Sequence, residues 1–133
     1  MGNRAVIVTE DTTYENSGKK LGLYIHWYGD KDVVQSVLDE CKEKGVRNFR
    51  DDDLYFWARF CQIFADRLTK DDLECEFESA KAHAYETGIG IGIVNQLDCY
   101  NGDNGVYYIN KDFQIVKQTS GKELEEKVEA ENE

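Results

Sequence analysis

The stretch LGLYIHWYGDKDVVQSVLDECKEKG, residues 21–45, decides the fold class because its hydrophobic period changes once along its length. Apolar and other side chains alternate over residues 21–27, which predicts a strand. From Val34 onward the apolar side chains recur at i, i+3, i+4 and i+7, which predicts an amphipathic helix. Asp30 is a favoured N-cap type and Gly45 a favoured residue just beyond a C-cap. One strand followed directly by one helix is therefore the unit from which the rest of the chain is interpreted.

The segment before this unit predicts a second strand. Ala5-Val6-Ile7-Val8-Thr9 is rich in β-branched residues, which favour strands. A polar segment around Asn16 and Gly18 separates it from residues 21–27 and is typical of a turn. We therefore expect these two strands to pair as a hairpin.

Two further helices are predicted after residue 50. The first begins in Asp51-Asp52-Asp53, runs to about residue 68 and is apolar nearly all round. The second is predicted over residues 71–86, with Thr69 and Asp72 as a capping pair. Its narrow apolar seam comprises Leu73, Phe77, Ala80 and Ala84. Residues 73–78 also alternate like a strand, but length and the Ala-rich second half favour a helix.

The last third of the chain predicts three strands. Residues 89–94, IGIGIV, place isoleucines on one face and glycines on the other, and a glycine face allows close approach of another element. Residues 106–109 and 113–116 flank Asn110-Lys111-Asp112, which is a hairpin pattern. The order of elements predicts an α+β fold with a mostly antiparallel sheet of about five strands and two or three helices packed on one face. We expect residues 1–119 to form a single globular domain and residues 120–133 to form an acidic, frayed tail.

The charge of the chain is the strongest indication of a partner. The net charge is −11, from 27 acidic and 16 basic side chains. Residues 51–86 carry ten acids and four bases, and residues 120–133 carry six and two, whereas residues 1–50 are neutral. Concentrated negative charge repels nucleic acid and anionic membranes and attracts basic protein surfaces. We therefore expect a basic protein partner and no direct binding to nucleic acid or membrane.

The four cysteines indicate reduced thiols. They lie far apart at positions 41, 61, 75 and 99, and no CxxC pair occurs. The N-terminus lacks the apolar segment of a secretory signal, so we expect a cytoplasmic protein of a bacterial host. No residue pattern predicts a metal or a cofactor, because two histidines and scattered cysteines lack ligand spacing.

The acidic block is the first candidate site. Asp51, Asp52 and Asp53 fit the positive end of a helix, as do Asp71 and Asp72. Glu74 and Glu78 lack that explanation. They lie one helical turn apart, where like charges are mildly destabilising. A stripe of Asp71, Glu74 and Glu78 resembles a phosphate backbone, with Tyr55 and Phe56 as hydrophobic anchors. The alternative is a solvated face that keeps the protein soluble.

A polar pocket is the second candidate site. His26 shares a strand face with Tyr24, and the turn-rich segment 98–105 supplies polar side chains beside a further tyrosine. The pocket residues are Tyr24, His26, Asp98, Asn101 and Tyr107. Such a pocket suits a small molecule of the nucleotide-signal type, although Arg4 is the only obvious cation for an anionic ligand. A hydrolase that uses His26 with Cys61 or a carboxylate is a third possibility that no spacing supports.

Several segments resemble small proteins of unassigned function carried by phages and mobile elements of Gram-positive bacteria. They are residues 2–7 (GNRAVI), 24–29 (YIHWYG), 57–59 (WAR) and 97–107 (LDCYNGDNGVY). The resemblance covers most of residues 2–116 and leaves the acidic tail outside. It brings no catalytic residues, and it implies an accessory, anti-defence role such as that of anti-CRISPR inhibitors.

These observations lead to one principal hypothesis for the function. We expect a non-enzymatic inhibitor that binds a basic groove of a nucleic-acid-processing host defence protein. The nearly all-round apolar second helix also leaves a homodimer open, because its surplus face needs a cover.

Overall fold

The computed structural model describes residues 2–85, 88–97 and 103–120. Its central element is a five-stranded sheet with the spatial order β3-β2-β1-β4-β5. The strands are β1 (Ala5–Thr9), β2 (Leu21–Ile25), β3 (Ile89–Ile93), β4 (Val106–Ile109) and β5 (Ile115–Thr119). The helices are α1 (Lys31–Glu43), α2 (Asp53–Glu74) and α3 (Glu78–Ala82), and short 3-10 turns occur at Ser17–Lys19 and Val94–Gln96. The predicted α+β class is confirmed.

Strand pairing follows the predicted hairpins and adds one parallel contact. β1 pairs with β2 in an antiparallel manner, as expected, and β4 pairs with β5 across the predicted turn. β1 and β4 are parallel, with Ile7 opposite Tyr107, so the sheet is mixed. This pairing joins residues about a hundred positions apart, which no local pattern encodes.

Two clusters of buried apolar side chains stabilise the sheet. The larger cluster combines strand residues such as Ile7, Leu23 and Tyr107 with the apolar stripes of α1 and α2. The smaller cluster contains Val6, Val8, Val94, Val106 and Tyr108, and Tyr24 and Leu97 pack against it. The two sets alternate along β1, as strand geometry requires for a sheet that buries side chains on both faces.

Helix α1 has the predicted ends, with one difference in how they are capped. Asp30 is the N-cap residue, but its side chain makes no capping hydrogen bond. At the other end Gly45 has φ +76°, and its N–H donates to the carbonyl of Lys42 while the N–H of Val46 donates to that of Cys41. These two bonds form a Schellman motif, in which the left-handed residue is glycine because it has no Cβ to clash.

The second and third predicted helices are corrected by the structure. α2 continues to Glu74, so Thr69 and Asp72 lie inside it and do not cap a new helix. Cys75 then adopts an extended conformation (φ −75°, ψ 167°), and α3 is only five residues long. The break lets the chain fold back on α2, where the Thr69 hydroxyl donates to the carbonyl of Ala84 at 3.3 Å and Ala84 is buried. The predicted apolar seam is wrong for Leu73 and Phe77, which are exposed, whereas its member Ala84 is buried.

Candidate functional site

The predicted acidic residues occupy two separate regions of the surface. Asp51, Asp52 and Asp53 lie at the N-terminal end of α2, whereas Asp71, Asp72 and Glu74 lie at its C-terminal end. A 22-residue helix is about 33 Å long, so the two groups do not form one surface. The predicted stripe of Asp71, Glu74 and Glu78 is also wrong as a helical face, because Glu78 belongs to α3, beyond the break.

Most carboxylates at the N-terminal end of α2 are engaged in local structure. The Asp52 carboxylate accepts a hydrogen bond from the backbone N–H of Tyr55 and lies 3.1 Å from Arg47. Asp51 accepts from the Asn48 amide at 2.9 Å. Asp53 is exposed in the first turn, where a carboxylate favours the helix dipole. Asp51 and Asp52 therefore stabilise the start of α2 through these contacts.

The two predicted aromatic anchors differ from each other. Phe56 is fully buried and stacks on Phe60 with ring centroids 5.0 Å apart, so the prediction that it contacts a partner is wrong. The preceding residue, Tyr55, points outward because successive residues of a helix lie on different faces. Tyr55 is exposed and carries the Arg47 guanidinium 5.0 Å from its ring centroid.

Of the predicted carboxylates from residue 71 onward, Asp71 and Asp72 are partly buried, whereas Glu74 and Glu78 are exposed. Asp71 lies 3.4 Å from Arg67, and Asp72 accepts a 2.7 Å hydrogen bond from the Tyr28 hydroxyl. Burial and the bond to Asp72 raise the pKa of Tyr28 far above its usual value, so this hydroxyl remains a donor. Glu74 and Glu78 are exposed, and the Glu78 carboxylate lies 3.6 Å from the Lys81 ammonium group.

Exposed apolar side chains lie near these exposed carboxylates, and sequence reasoning missed them. Phe77 is 65% exposed and Tyr85 is 82% exposed, and Leu73 is also exposed. Leu73, Glu74 and Tyr85 line a groove of about 480 Å³ together with Asp66, Lys70 and Ile89. We call the set comprising Leu73, Glu74, Glu76, Phe77, Glu78 and Tyr85 the α2–α3 surface. The alternation of apolar and acidic residues over residues 73–78 could have indicated this exposed surface. The prediction of a helix instead assigned the apolar residues of this segment to the core.

The predicted polar pocket is not assembled in the described residues. Tyr107 is fully buried in the larger cluster, and its hydroxyl donates to the Gly29 carbonyl at 2.7 Å. Tyr24 packs against the smaller cluster instead, and its hydroxyl lies 2.8 Å from Nδ1 of His26. Tyr107 therefore faces away from Tyr24 and is wrong as a pocket residue. Asp98 and Asn101 lie outside the described residues.

His26 has a local structural environment. Its ring contacts Tyr24 along the strand and packs edge-on against Trp27 with centroids 5.1 Å apart. The described structure shows no contact between His26 and Cys61. Burial raises the pKa of Cys61 to about 11, which keeps the thiol protonated, whereas a nucleophilic cysteine needs a lowered pKa.

A second groove carries the opposite charge. It has a volume of about 440 Å³ and lies where the end of α1 meets α2, with Lys44, Arg47 and Arg59 in its lining beside Tyr55. Each cation has a partner: Lys44 lies 3.4 Å from Glu40, Arg47 pairs with Asp52, and Arg59 donates to Gln62 at 2.8 Å. Within the described residues no group of three or more His, Cys, Asp or Glu side chains is placed to hold a metal ion.

Comparison with known proteins adds no further assignment. The chain matches no protein-family model, no curated protein and no solved structure. In the described part of the chain, no helix has the length and apolar character needed to cross a membrane.

Proposed function

We propose that this protein is a non-enzymatic inhibitor that docks its α2–α3 surface on a basic surface of another protein. The observation that supports the proposal is the exposure of Phe77 and Tyr85 beside the exposed carboxylates of Glu74 and Glu78. Large exposed apolar side chains in a polar rim are typical of interaction sites. The apolar members supply buried contact area, and the carboxylates select a cationic partner.

The class of partner follows from charge and from the resemblance to phage accessory proteins. Residues 66–78 carry six acidic and two basic side chains, so the local field is strongly negative. Proteins that process nucleic acid carry basic grooves in which phosphate contacts dominate affinity, and carboxylates compete for the same cations. A nucleic-acid-processing defence protein of a bacterial host, such as a CRISPR effector, is therefore the proposed target.

Light scattering tests this proposal directly. The protein is mixed with a panel of purified nucleic-acid-processing proteins of the host at low and at high salt, and complex mass is measured. We expect a complex with one basic member of the panel that weakens as salt rises, because screening reduces attraction between exposed charges.

A pair of charge-matched variants locates the surface. Glu74→Lys combined with Glu78→Lys should weaken the complex at least about tenfold, since two attractive contacts become repulsive. Glu15→Lys combined with Glu43→Lys changes the net charge equally at exposed positions elsewhere and should leave most of the affinity. Equal weakening by both pairs would show that only net charge matters and would rule out the α2–α3 surface.

A small-molecule function remains a second candidate, and the basic groove beside Tyr55 is the specific observation that favours it. Lys44, Arg47 and Arg59 supply positive charge for phosphate, and the Tyr55 ring supplies a stacking face. A nucleotide present at about 100 times its dissociation constant should stabilise the protein by about 2.7 kcal/mol. A thermal-shift screen of nucleotides in which none raises the melting temperature would eliminate this candidate.

A further inference from the structure

Among the residues that the structure describes, the edge strand β3 lacks the features that usually protect sheet edges. In the described part of the chain β3 pairs only with β2, and its sequence, Ile-Gly-Ile-Gly-Ile, has no charge and no proline. Ile91 is 52% exposed. The opposite edge, β5, carries Lys117, and a register shift interrupts its pairing with β4 near Ile109. Charges and irregular pairing discourage unwanted strand addition, so the two edges differ in their readiness to accept another strand.

The alternation of hydrogen bonds between β2 and β3 identifies the backbone groups of β3 that point away from β2. The His26 N–H donates to the Gly88 carbonyl at 2.8 Å, and the Val94 N–H donates to the Lys20 carbonyl at 2.9 Å. In an antiparallel ladder every second residue directs its N–H and C=O toward the partner strand. The even-numbered residues of β3 therefore bond β2. The N–H and C=O groups of Ile89, Ile91 and Ile93 face outward.

The surroundings of this edge accommodate a further strand. A Cβ atom placed on Gly90 would meet no atom within 4 Å, so one face beside the middle of β3 is open. On the other face, Ile89 lines the groove that also contains Leu73 and Tyr85. Asp66 and Glu74 lie at the same groove, opposed by one cation, Lys70. Side chains that an added strand directs into this groove would therefore meet both apolar surface and negative charge.

We propose that the edge of β3 captures an extended segment of the partner protein by strand addition. This inference rests on the proposed function and specifies how the partner binds. Backbone bonds to Ile89, Ile91 and Ile93 supply affinity without regard to sequence. Selectivity comes from the groove, which takes an apolar side chain against Leu73 and Tyr85 and a Lys or Arg against Asp66 and Glu74. A second copy of this chain is disfavoured as the occupant, because the acidic grooves of the two copies would repel each other.

The probe for this test is a synthetic peptide with the repeating sequence Thr-Val-Thr-Arg. Binding is measured by fluorescence anisotropy with a labelled peptide. A peptide with Glu in place of Arg tests the charge of the groove. A peptide N-methylated at alternate residues tests the backbone bonds, because methylation removes the donors and leaves the side chains unchanged.

The decisive variant is Ile91→Pro. Proline removes the outward N–H of residue 91 and leaves the bonds of Gly90 and Gly92 to β2 intact, a position that edge strands tolerate. Ile91→Thr is the matched control, because it keeps the N–H and the β-branched shape. We expect the peptide to bind Ile91→Pro at least about tenfold more weakly than Ile91→Thr, and the N-methylated and Glu peptides to bind the natural protein at least about tenfold more weakly.

Three results would overturn the inference. The first is equal binding of the peptide to Ile91→Pro and to the natural protein. If Glu74→Lys still abolished that binding, the α2–α3 surface and the proposed function would stand without strand addition. The second is equal binding of the N-methylated peptide, which is decisive even if Ile91→Pro fails to fold. The third is a concentration-dependent dimer, measured by light scattering, that Ile91→Pro abolishes, since the occupant would then be a second copy.

Discussion

Two adjacent tyrosines in β4 show how one position along a strand changes the role of a residue. Tyr107 lies in the larger cluster and donates its hydroxyl proton to the Gly29 carbonyl, whereas Tyr108 lies in the smaller cluster under the Lys117 ammonium group, 5.1 Å from its ring centroid. Successive side chains of a strand point to opposite faces. Tyr107 therefore connects β4 to the segment between β2 and α1, and it stabilises the fold instead of lining a pocket.

Removing the buried hydroxyl of Tyr107 should destabilise the protein. Tyr107→Phe leaves the buried Gly29 carbonyl without this donor, which should lower the free energy of unfolding by about 1 to 2 kcal/mol. Urea denaturation measures the change. Tyr85→Phe is the matched control, because that ring is 82% exposed, and it should change the free energy of unfolding by less than about 0.5 kcal/mol. Equal effects of both substitutions would contradict the structural role of Tyr107.

Stability should also fall at alkaline pH because two buried groups resist ionisation. Burial, together with the negative charges of Asp30 and Asp32, raises the pKa of Tyr107 to about 12, and burial raises that of Cys41 to about 12. Both groups are neutral in the folded state over a range in which the unfolded chain loses protons. Their full contribution to the free energy of unfolding is therefore present below about pH 9, and it decreases as the pH rises toward about 12. Tyr107→Phe should make the decline of the melting temperature above pH of about 10 shallower, and an unchanged slope would assign the decline to other groups.

At the scale of elements, the ends of the helices are governed by two different kinds of interaction. α1 ends where Gly45 reaches the left-handed conformation, which is a local event in the sequence. α2 ends at Glu74 without a glycine, and the returning chain is attached to it through Thr69 and Ala84, fifteen residues apart. The first ending was predictable from sequence, and the second depends on a contact that only the folded chain contains.

Two glycines with equal space around them allow the effect of backbone conformation on stability to be separated from the effect of packing. A Cβ on Gly45 or on Gly90 would meet no atom within 4 Å, but only Gly45 has a positive φ, of +76°. Gly45→Ala should therefore lower the free energy of unfolding by about 1 kcal/mol or more. Gly90→Ala should leave it unchanged or raise it by up to about 1 kcal/mol, because it restricts only the unfolded chain. Thermal and urea denaturation of both variants provide the comparison, and similar losses would mean that φ at residue 45 is not the deciding factor.

At the scale of the whole molecule, negative charge is distributed unevenly and only part of it is available to a partner. Carboxylates at Asp11, Asp52, Asp71 and Asp103 lie within 4 Å of a cation, and among the described contacts of the α2–α3 surface only Glu78 has such a pair, with Lys81. The Arg4 backbone N–H and guanidinium both donate to Asp103, which lowers the pKa of that carboxyl group. Paired carboxylates stabilise loops and helix ends, so the unpaired ones set the long-range field.

Salt should stabilise the isolated protein. With a net charge of −11, mutual repulsion opposes the compact state, and exposed ion pairs contribute only about 0 to 1 kcal/mol each. The melting temperature should therefore rise as sodium chloride increases from about 0.01 M to about 0.15 M, over which the screening length falls from about 30 Å to about 8 Å. The Glu15→Lys, Glu43→Lys double variant should show a smaller rise. A melting temperature that falls with salt would mean that the ion pairs outweigh the repulsion.

The sequence by itself determined which elements form and what charge the protein carries. Alternation over residues 21–27 and helical spacing from Val34 predicted β2 and α1, because these patterns record which side chains leave water. The same patterns predicted β1, β3 and the final hairpin, although β5 begins two residues later than expected. The concentration of acids in residues 51–86 likewise required no structure.

Only the tertiary structure decided which of those residues are available for function. It paired β1 with β4, placed β3 at an edge, buried Phe56 and Tyr107, and ended α2 before Glu78. Each of these outcomes depends on contacts between residues far apart in the chain, such as Tyr107 with Gly29. The hydrophobic pattern of a short segment does not predict such contacts. Exposure of Phe77 beside Glu74 and Glu78 is likewise a property of the break after α2, so the proposed docking surface became visible only in the folded molecule.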